Sequence, residues 1–208
     1  MIKRNKAIIA AIVLLFVFTI GSVIAYFTDI KTVTNTFTIG NVKITLTEPH
    51  WSLTDENSND VPDAAENKAP GESILKDPTI TNTGTNNAFI FAKVEIACTT
   101  DAAPSTPKEI FTYSVNSGWY LMTNGSCTNG KATKIYAYGS SSAMSAVTPN
   151  GTAILFNSVT VNTQLTGAET GLTGNKTIDV TAYAIQSDGI GNIVEPSAVW
   201  TLANFNYS

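Results

Sequence analysis

The sequence predicts an all-β fold, a jelly-roll-like antiparallel β-sandwich with a short C-terminal helix. Three observations predict it. Beyond residue 25 the chain is rich in Thr, Asn, Val and Ile and carries no apolar stripe of helical period until its last dozen residues, so strands are favoured. Apolar and polar residues alternate along eight or nine short stretches. Turn signals separate those stretches, as many short strands in a sandwich or jelly roll require. With 208 residues, 13% charged and 43% hydrophobic, the chain can bury a sizeable core and does not have the composition of a disordered one.

Taken in order, Val33, Phe37 and Ile39 and then Val42, Ile44 and Leu46 alternate with polar residues about a break at Gly40-Asn41. This reads as two strands, or one bent at a bulge. Further strands are expected over Ile74 to Thr83, Ala88 to Cys98, Ile110 to Val115, Trp119 to Met122, Ala132 to Tyr138, Ala153 to Val161 and Thr177 to Ile185. Asn82-Thr83-Gly84, Asn124-Gly125, Asn129-Gly130 and Asp188-Gly189 are among the turns between them. Pro196-Ser197 followed by Ala198 to Ala203 reads as a short capped helix laid against the sheet. Thr54 to Gly71 and Thr99 to Lys108 read as surface loops. With no internal repeat and no dividing linker, residues 26–208 are expected to form a single β-sandwich domain with its surface loop at about 54–71.

Residues 1–25 have the layout of a secretory signal peptide. Lys3, Arg4 and Lys6 precede an apolar run from Ala7 to about Ile24, and small residues follow at Gly21, Ser22 and Ala25. Cleavage is expected between Ala25 and Tyr26. The run also approaches the roughly 20 residues of an uncleaved membrane anchor, and either outcome places the domain outside the cytoplasm. The remaining chain has nine Lys against sixteen Asp+Glu, and Arg4 is the sole arginine. An acidic body without a guanidinium repels polyanions, so no nucleic-acid partner is expected. Two cysteines, Cys98 and Cys127, allow one disulfide in an exported protein, closing a loop of about thirty residues; two unpaired buried thiols are the alternative.

Residues 55–66 match most oxygen positions of a calcium loop. Asp55, Asn57 and Asn59 stand at positions 1, 3 and 5, the Val61 carbonyl at 7, Asp63 at 9 and Glu66 at 12. Position 6 is Asp60 in place of glycine, and no amphipathic helix flanks the loop. A solvated acidic loop is the other reading; bound calcium would act structurally, as a clamp.

Ala25-Tyr26-Phe27-Thr28-Asp29 and Asn35-Thr36-Phe37-Thr38-Ile39-Gly40-Asn41-Val42 resemble the TasA/camelysin family of exported proteins processed by a SipW-type signal peptidase. Leu46-Thr47-Glu48-Pro49-His50-Trp51, Pro70-Gly71-Glu72, Lys76-Asp77-Pro78, Asn82-Thr83-Gly84 and Ala182-Tyr183-Ala184-Ile185-Gln186 with the late Trp200 continue the pattern. The resemblance implies a jelly roll secreted by a Gram-positive bacterium and a role as a fibre subunit of a biofilm matrix. In such fibres the freed N-terminal segment of one subunit completes the sheet of the next, alone or with other matrix proteins. Tyr26, Phe27, Thr28, Asp29 and Ile30 would begin that donor strand, with Phe27 as its anchor; pairing within its own sheet is the alternative.

The camelysin name also implies a metallopeptidase. His50 is the only histidine, there is no HExxH, and neither a nucleophile elbow nor a phosphate-binding glycine loop is present, so no enzyme is expected. Trp51, Trp119 and Trp200 are expected in the core or at a sheet edge, with an exposed carbohydrate platform as the alternative. The sequence thus points to a secreted structural subunit of an extracellular fibre. A calcium-stabilised monomeric surface module and a camelysin-like metalloendopeptidase are the alternatives.

Overall fold

A computed structural model of the chain describes residues 40–59, 61–99, 106–165, 172 and 174–205. All of them fall within one compact unit, Gly40–Ser208. The expected signal segment, the Ala25–Tyr26 junction, the donor strand from Tyr26 and the strand before Gly40 lie outside the described residues.

The described residues form ten strands and one α-helix. They are β1 (Ile44–Thr47), β2 (Ser73–Leu75), β3 (Thr79–Asn82), β4 (Ala88–Ala97), β5 (Phe111–Tyr113), β6 (Trp119–Asn124), β7 (Lys131–Tyr138), β8 (Thr152–Ile154), β9 (Ser158–Val161), β10 (Ile178–Gln186) and α1 (Pro196–Leu202). All strand pairs are antiparallel.

Two stretches expected as single strands are each divided. Ile74 to Thr83 becomes β2 and β3, and Ala153 to Val161 becomes β8 and β9. Pro78 has no N–H to donate, so the ladder is interrupted beside it. Pairing nevertheless runs through the interruption. Ser73 faces Thr160 on one side and Thr79 faces Ile154 on the other, in the same register. Between them the Lys76 N–H donates to the Asn157 carbonyl at 3.4 Å and the Leu155 N–H to the Pro78 carbonyl at 3.0 Å. The β1–β3–β8 and β2–β9–β5 groups are therefore two halves of one bent sheet. The second sheet has the order β10–β4–β7–β6.

The chain crosses from one sheet to the other after β3, β4, β5, β7 and β9, a jelly-roll-like path. Alternate residues pack between the sheets: Ile74, Ile80, Phe156 and Val159 from the bent sheet meet Ile90, Ala92, Val94 and Ile96 of β4. Trp119 donates its indole N–H to the Ile154 carbonyl at 2.9 Å, and the Tyr113 and Tyr136 hydroxyls meet at 3.0 Å across the same interior.

Strand β4 is buried on both faces over its first half, which explains the nearly unbroken apolar run of Ala88 to Ala92. Its outward Phe89 and Phe91 lie beneath α1, where Trp200 stacks edge-on against Phe91 at 5.1 Å. The helix therefore covers one end of the second sheet's outer face. The outer face of the bent sheet has no such cover among the described residues. Its outward positions carry hydroxyls, Thr45 and Thr47 on β1, Thr79 and Thr81 on β3, and Ser158 and Thr160 on β9. No helix among the described residues is long and apolar enough to cross a membrane.

Candidate functional site

The residues quoted from the sequence motifs converge at the interruption of the bent sheet. After β1 the chain turns through Glu48, Pro49 and His50, closed by the Trp51 N–H on the Glu48 carbonyl at 3.1 Å. That turn lies against Lys76 and Asp77. The Lys76 ammonium meets the Glu48 carboxylate at 2.6 Å and stands 5.1 Å from the centre of the Trp51 ring. Lys76 is only 9% exposed, so the carboxylate and the ring together replace its lost hydration.

His50 holds Asp77 twice, by its backbone N–H at 3.0 Å and by Nδ1 at 2.7 Å. The Asp77 side chain is 9% exposed and that of His50 75% exposed, so a buried carboxylate is tied to a solvent-facing ring. Burial pushes the Asp77 carboxyl up, but the hydrogen bonds and charge of His50 outweigh it and hold the carboxyl below its ordinary value. The cluster fastens the 48–51 turn to the bent sheet. His50 is thus a loop residue whose backbone and ring both hydrogen-bond one carboxylate.

The Asn82-Thr83-Gly84 turn is a second hub. Asn82 is fully buried; its amide donates to the Asn86 and Val147 carbonyls, both at 2.8 Å, and its side-chain oxygen accepts from the Gly84 N–H at 3.0 Å. A Cβ at Gly84 would stand 2.5 Å from the Asn41 carbonyl oxygen, a distance no side chain tolerates. The motif thus ties together residues 41–43, the β3–β4 crossing and the β7–β8 connection.

The 55–66 loop, which contains a 3-10 turn at Asp63–Ala65, draws its alternate polar residues together. The Asn57 and Asn59 amides both donate to the Glu66 Oε1. The Asn59 N–H reaches Asp55 at 3.2 Å, the Glu56 N–H reaches Asp63 at 3.2 Å, and the Val61 N–H reaches Asn59 at 2.9 Å. Asp60 lies outside the described residues. Among those described, no three His, Cys, Asp or Glu side chains are grouped to hold a metal. Cys98, at the end of β4, and Cys127, between β6 and β7, are bonded to each other with Cα atoms 6.0 Å apart.

Lys134 meets Glu109 at 2.7 Å beside the Tyr113–Tyr136 pair. Burial, then the Tyr136 and Glu109 neighbours, push the Tyr113 hydroxyl far above its ordinary value, so it stays neutral. Along β5 and β9 the structure opens a polar trough that the sequence reading did not single out. Its signal was present as Thr112-Tyr113-Ser114 and Ser158-Val159-Thr160, strands whose outward positions are hydroxyls.

No curated protein and no solved structure matches the chain. Residues 1–106, which include the 48–51 turn, the 55–66 loop, Lys76-Asp77-Pro78 and Asn82-Thr83-Gly84, match the camelysin metallo-endopeptidase family, and the chain belongs to that family.

Proposed function

We propose that this chain is a secreted, non-catalytic structural subunit that assembles into an extracellular fibre by addition of its N-terminal strand to the sheet of the next copy. The observation that carries the reading is an open sheet edge. β1 pairs with β3 only, so β2 has no strand partner on the side away from β9 among the described residues. An added strand would gain main-chain hydrogen bonds there. Tyr26 to Ile30, freed by cleavage after Ala25, would supply it, and the open position lies next to the turn held by Glu48–Lys76 and His50–Asp77. Calcium would have a structural role in this reading, with the oxygens of Asp55, Asn57, Asn59, Asp63 and Glu66 and the Val61 carbonyl around it.

The family's description favours a second reading, metal-dependent peptide hydrolysis. The residues present do not fit a catalytic zinc: the single histidine has Nδ1 held by Asp77, and the carboxylate nearest in sequence, Glu48, is held by Lys76.

The test is made on the protein recovered from the medium. Its N-terminal residue is sequenced, its particle size is followed with concentration, and a variant lacking Tyr26 to Val33 is compared. Tyr26 at the terminus with filaments that vanish in the shortened variant supports the reading. A monomer at all concentrations overturns it. Casein hydrolysis that disappears in His50→Ala, while folding is retained, would instead establish the peptidase.

A further inference from the structure

We propose that the outer face of the bent sheet binds a neutral polysaccharide, centred on the trough between β5 and β9. The trough has a volume of about 380 Å³, and its lining includes Thr112, Ser114, Asn116, Asn157, Ser158 and Thr160. That volume lies within the range of roughly 300–1,000 Å³ found for ligand sites. Asn116 and Asn157 exchange amide hydrogen bonds at 2.9 and 3.4 Å, which fixes both at the trough floor.

Charge decides the class of ligand. No outward strand position of the bent sheet is ionisable, although the chain is acidic. The equivalent face of the other sheet carries Lys93 with Glu95 and Lys131 with Asp179, at 3.5 and 3.6 Å. The ionic residues of this sheet, Glu48, His50, Lys76 and Asp77, pair with one another at its interruption, and no Lys, Asp, Glu or His lines the trough, so an ionic ligand seated there would lose hydration without a counter-charge. An uncharged polyol meets a surface of matching chemistry: the Ser73 and Thr160 hydroxyls share one hydrogen bond at 2.8 Å and the Thr112 hydroxyl donates to the Thr160 carbonyl at 3.4 Å, which leaves acceptor positions on all three.

The register sets these hydroxyls in rows. Thr45, Thr81 and Thr152 stand opposite one another across three strands, as do Ser73, Thr160 and Thr112. Neighbours in a row are about 4.8 Å apart and successive outward residues on a strand about 6.7 Å apart, a repeating spacing suited to a chain of repeating units. Leu75, 64% exposed, faces Ser158 at the trough edge, and Ile154, 40% exposed, adjoins Asn116. These two apolar side chains offer contact to the C–H faces of sugar rings.

This inference stands apart from fibre assembly, which uses a sheet edge. It is tested by affinity electrophoresis of the secreted protein in gels holding hydroxyethyl cellulose, a neutral glycan, or polygalacturonate, an anionic one. Retardation by the neutral glycan is expected, and Ser158→Asp with Thr160→Asp should weaken it at least tenfold while Lys131→Glu leaves it unchanged. Should the paired variant fail to fold, Thr112→Asp on the exposed rim takes its place. The proposal is overturned by free migration of the wild type in hydroxyethyl cellulose, or by stronger retardation in polygalacturonate. It falls equally if folded aspartate variants are retarded like the wild type, or if they lose self-association in place of glycan binding.

Discussion

Replacing Asn82 by alanine should destabilise the sandwich more than any surface substitution. The side chain is fully buried and makes three hydrogen bonds, two as donor and one as acceptor. The Val147 carbonyl keeps the Ala88 N–H at 3.0 Å and the Gly84 N–H keeps the Lys43 carbonyl at 3.0 Å, so neither is left bare. The loss is then three neutral hydrogen bonds at about 1 kcal/mol each, about 3 kcal/mol in all. In a domain of this size that lowers the melting temperature by about 6–12 °C. Asn82→Asp separates the contributions. It keeps an acceptor for Gly84 but turns its other oxygen toward the Asn86 and Val147 carbonyls, which favours the protonated acid and raises its pKa in the fold. A raised carboxyl pKa means that the folded state holds a proton the unfolded chain releases above about pH 4, so stability falls as pH rises. Thermal unfolding followed by circular dichroism should place Asn82→Asp below Asn82→Ala at pH 7 and bring it upward as the pH falls toward 5. A melting temperature of Asn82→Ala within about 2 °C of the wild type, or no pH dependence in Asn82→Asp, would refute the hub.

Three further outcomes are expected. The Asp77 carboxyl is held below its ordinary value by His50, so the pair contributes stability above about pH 4 that is lost as the pH falls through the lowered value; urea titrations should show His50→Ala with a shallower loss over that acid range. Cys98 and Cys127 are 29 residues apart, and in the chain-entropy model their bond contributes about 3–4 kcal/mol; the reduced protein should melt well below the oxidised one, with an equal melting temperature refuting a structural role. Calcium should raise the melting temperature and a chelator reverse it, with Glu66→Gln abolishing the response; a calcium effect surviving in Glu66→Gln would remove the 55–66 loop as its origin.

What the sequence disclosed and what it withheld divide along a physical line. Strands were legible because alternation is a local property: Ile90, Ala92, Val94 and Ile96 face the interior in β4 as their spacing requires, and Val199 and Trp200 are the buried face of α1. The interruptions at Lys76-Asp77-Pro78 and Leu155-Phe156-Asn157 lie opposite each other, and neither reveals its partner because the two are brought together only by the fold. The same holds for Glu48 with Lys76 and for His50 with Asp77, pairs 28 and 27 residues apart. The hydroxyl rows are an intermediate case. Each Thr-x-Thr or Ser-x-Thr piece reads as ordinary strand text, because β-branched threonine suits any exposed strand. Only the common register across β1, β3 and β8, and across β2, β9 and β5, lines those pieces up into two rows of uncharged hydroxyls, one on each side of the interruption. A surface made by register is a property of the assembled sheet, so Ser158→Asp disturbs it without touching the core on the other side of the same strand, where Val159 is buried.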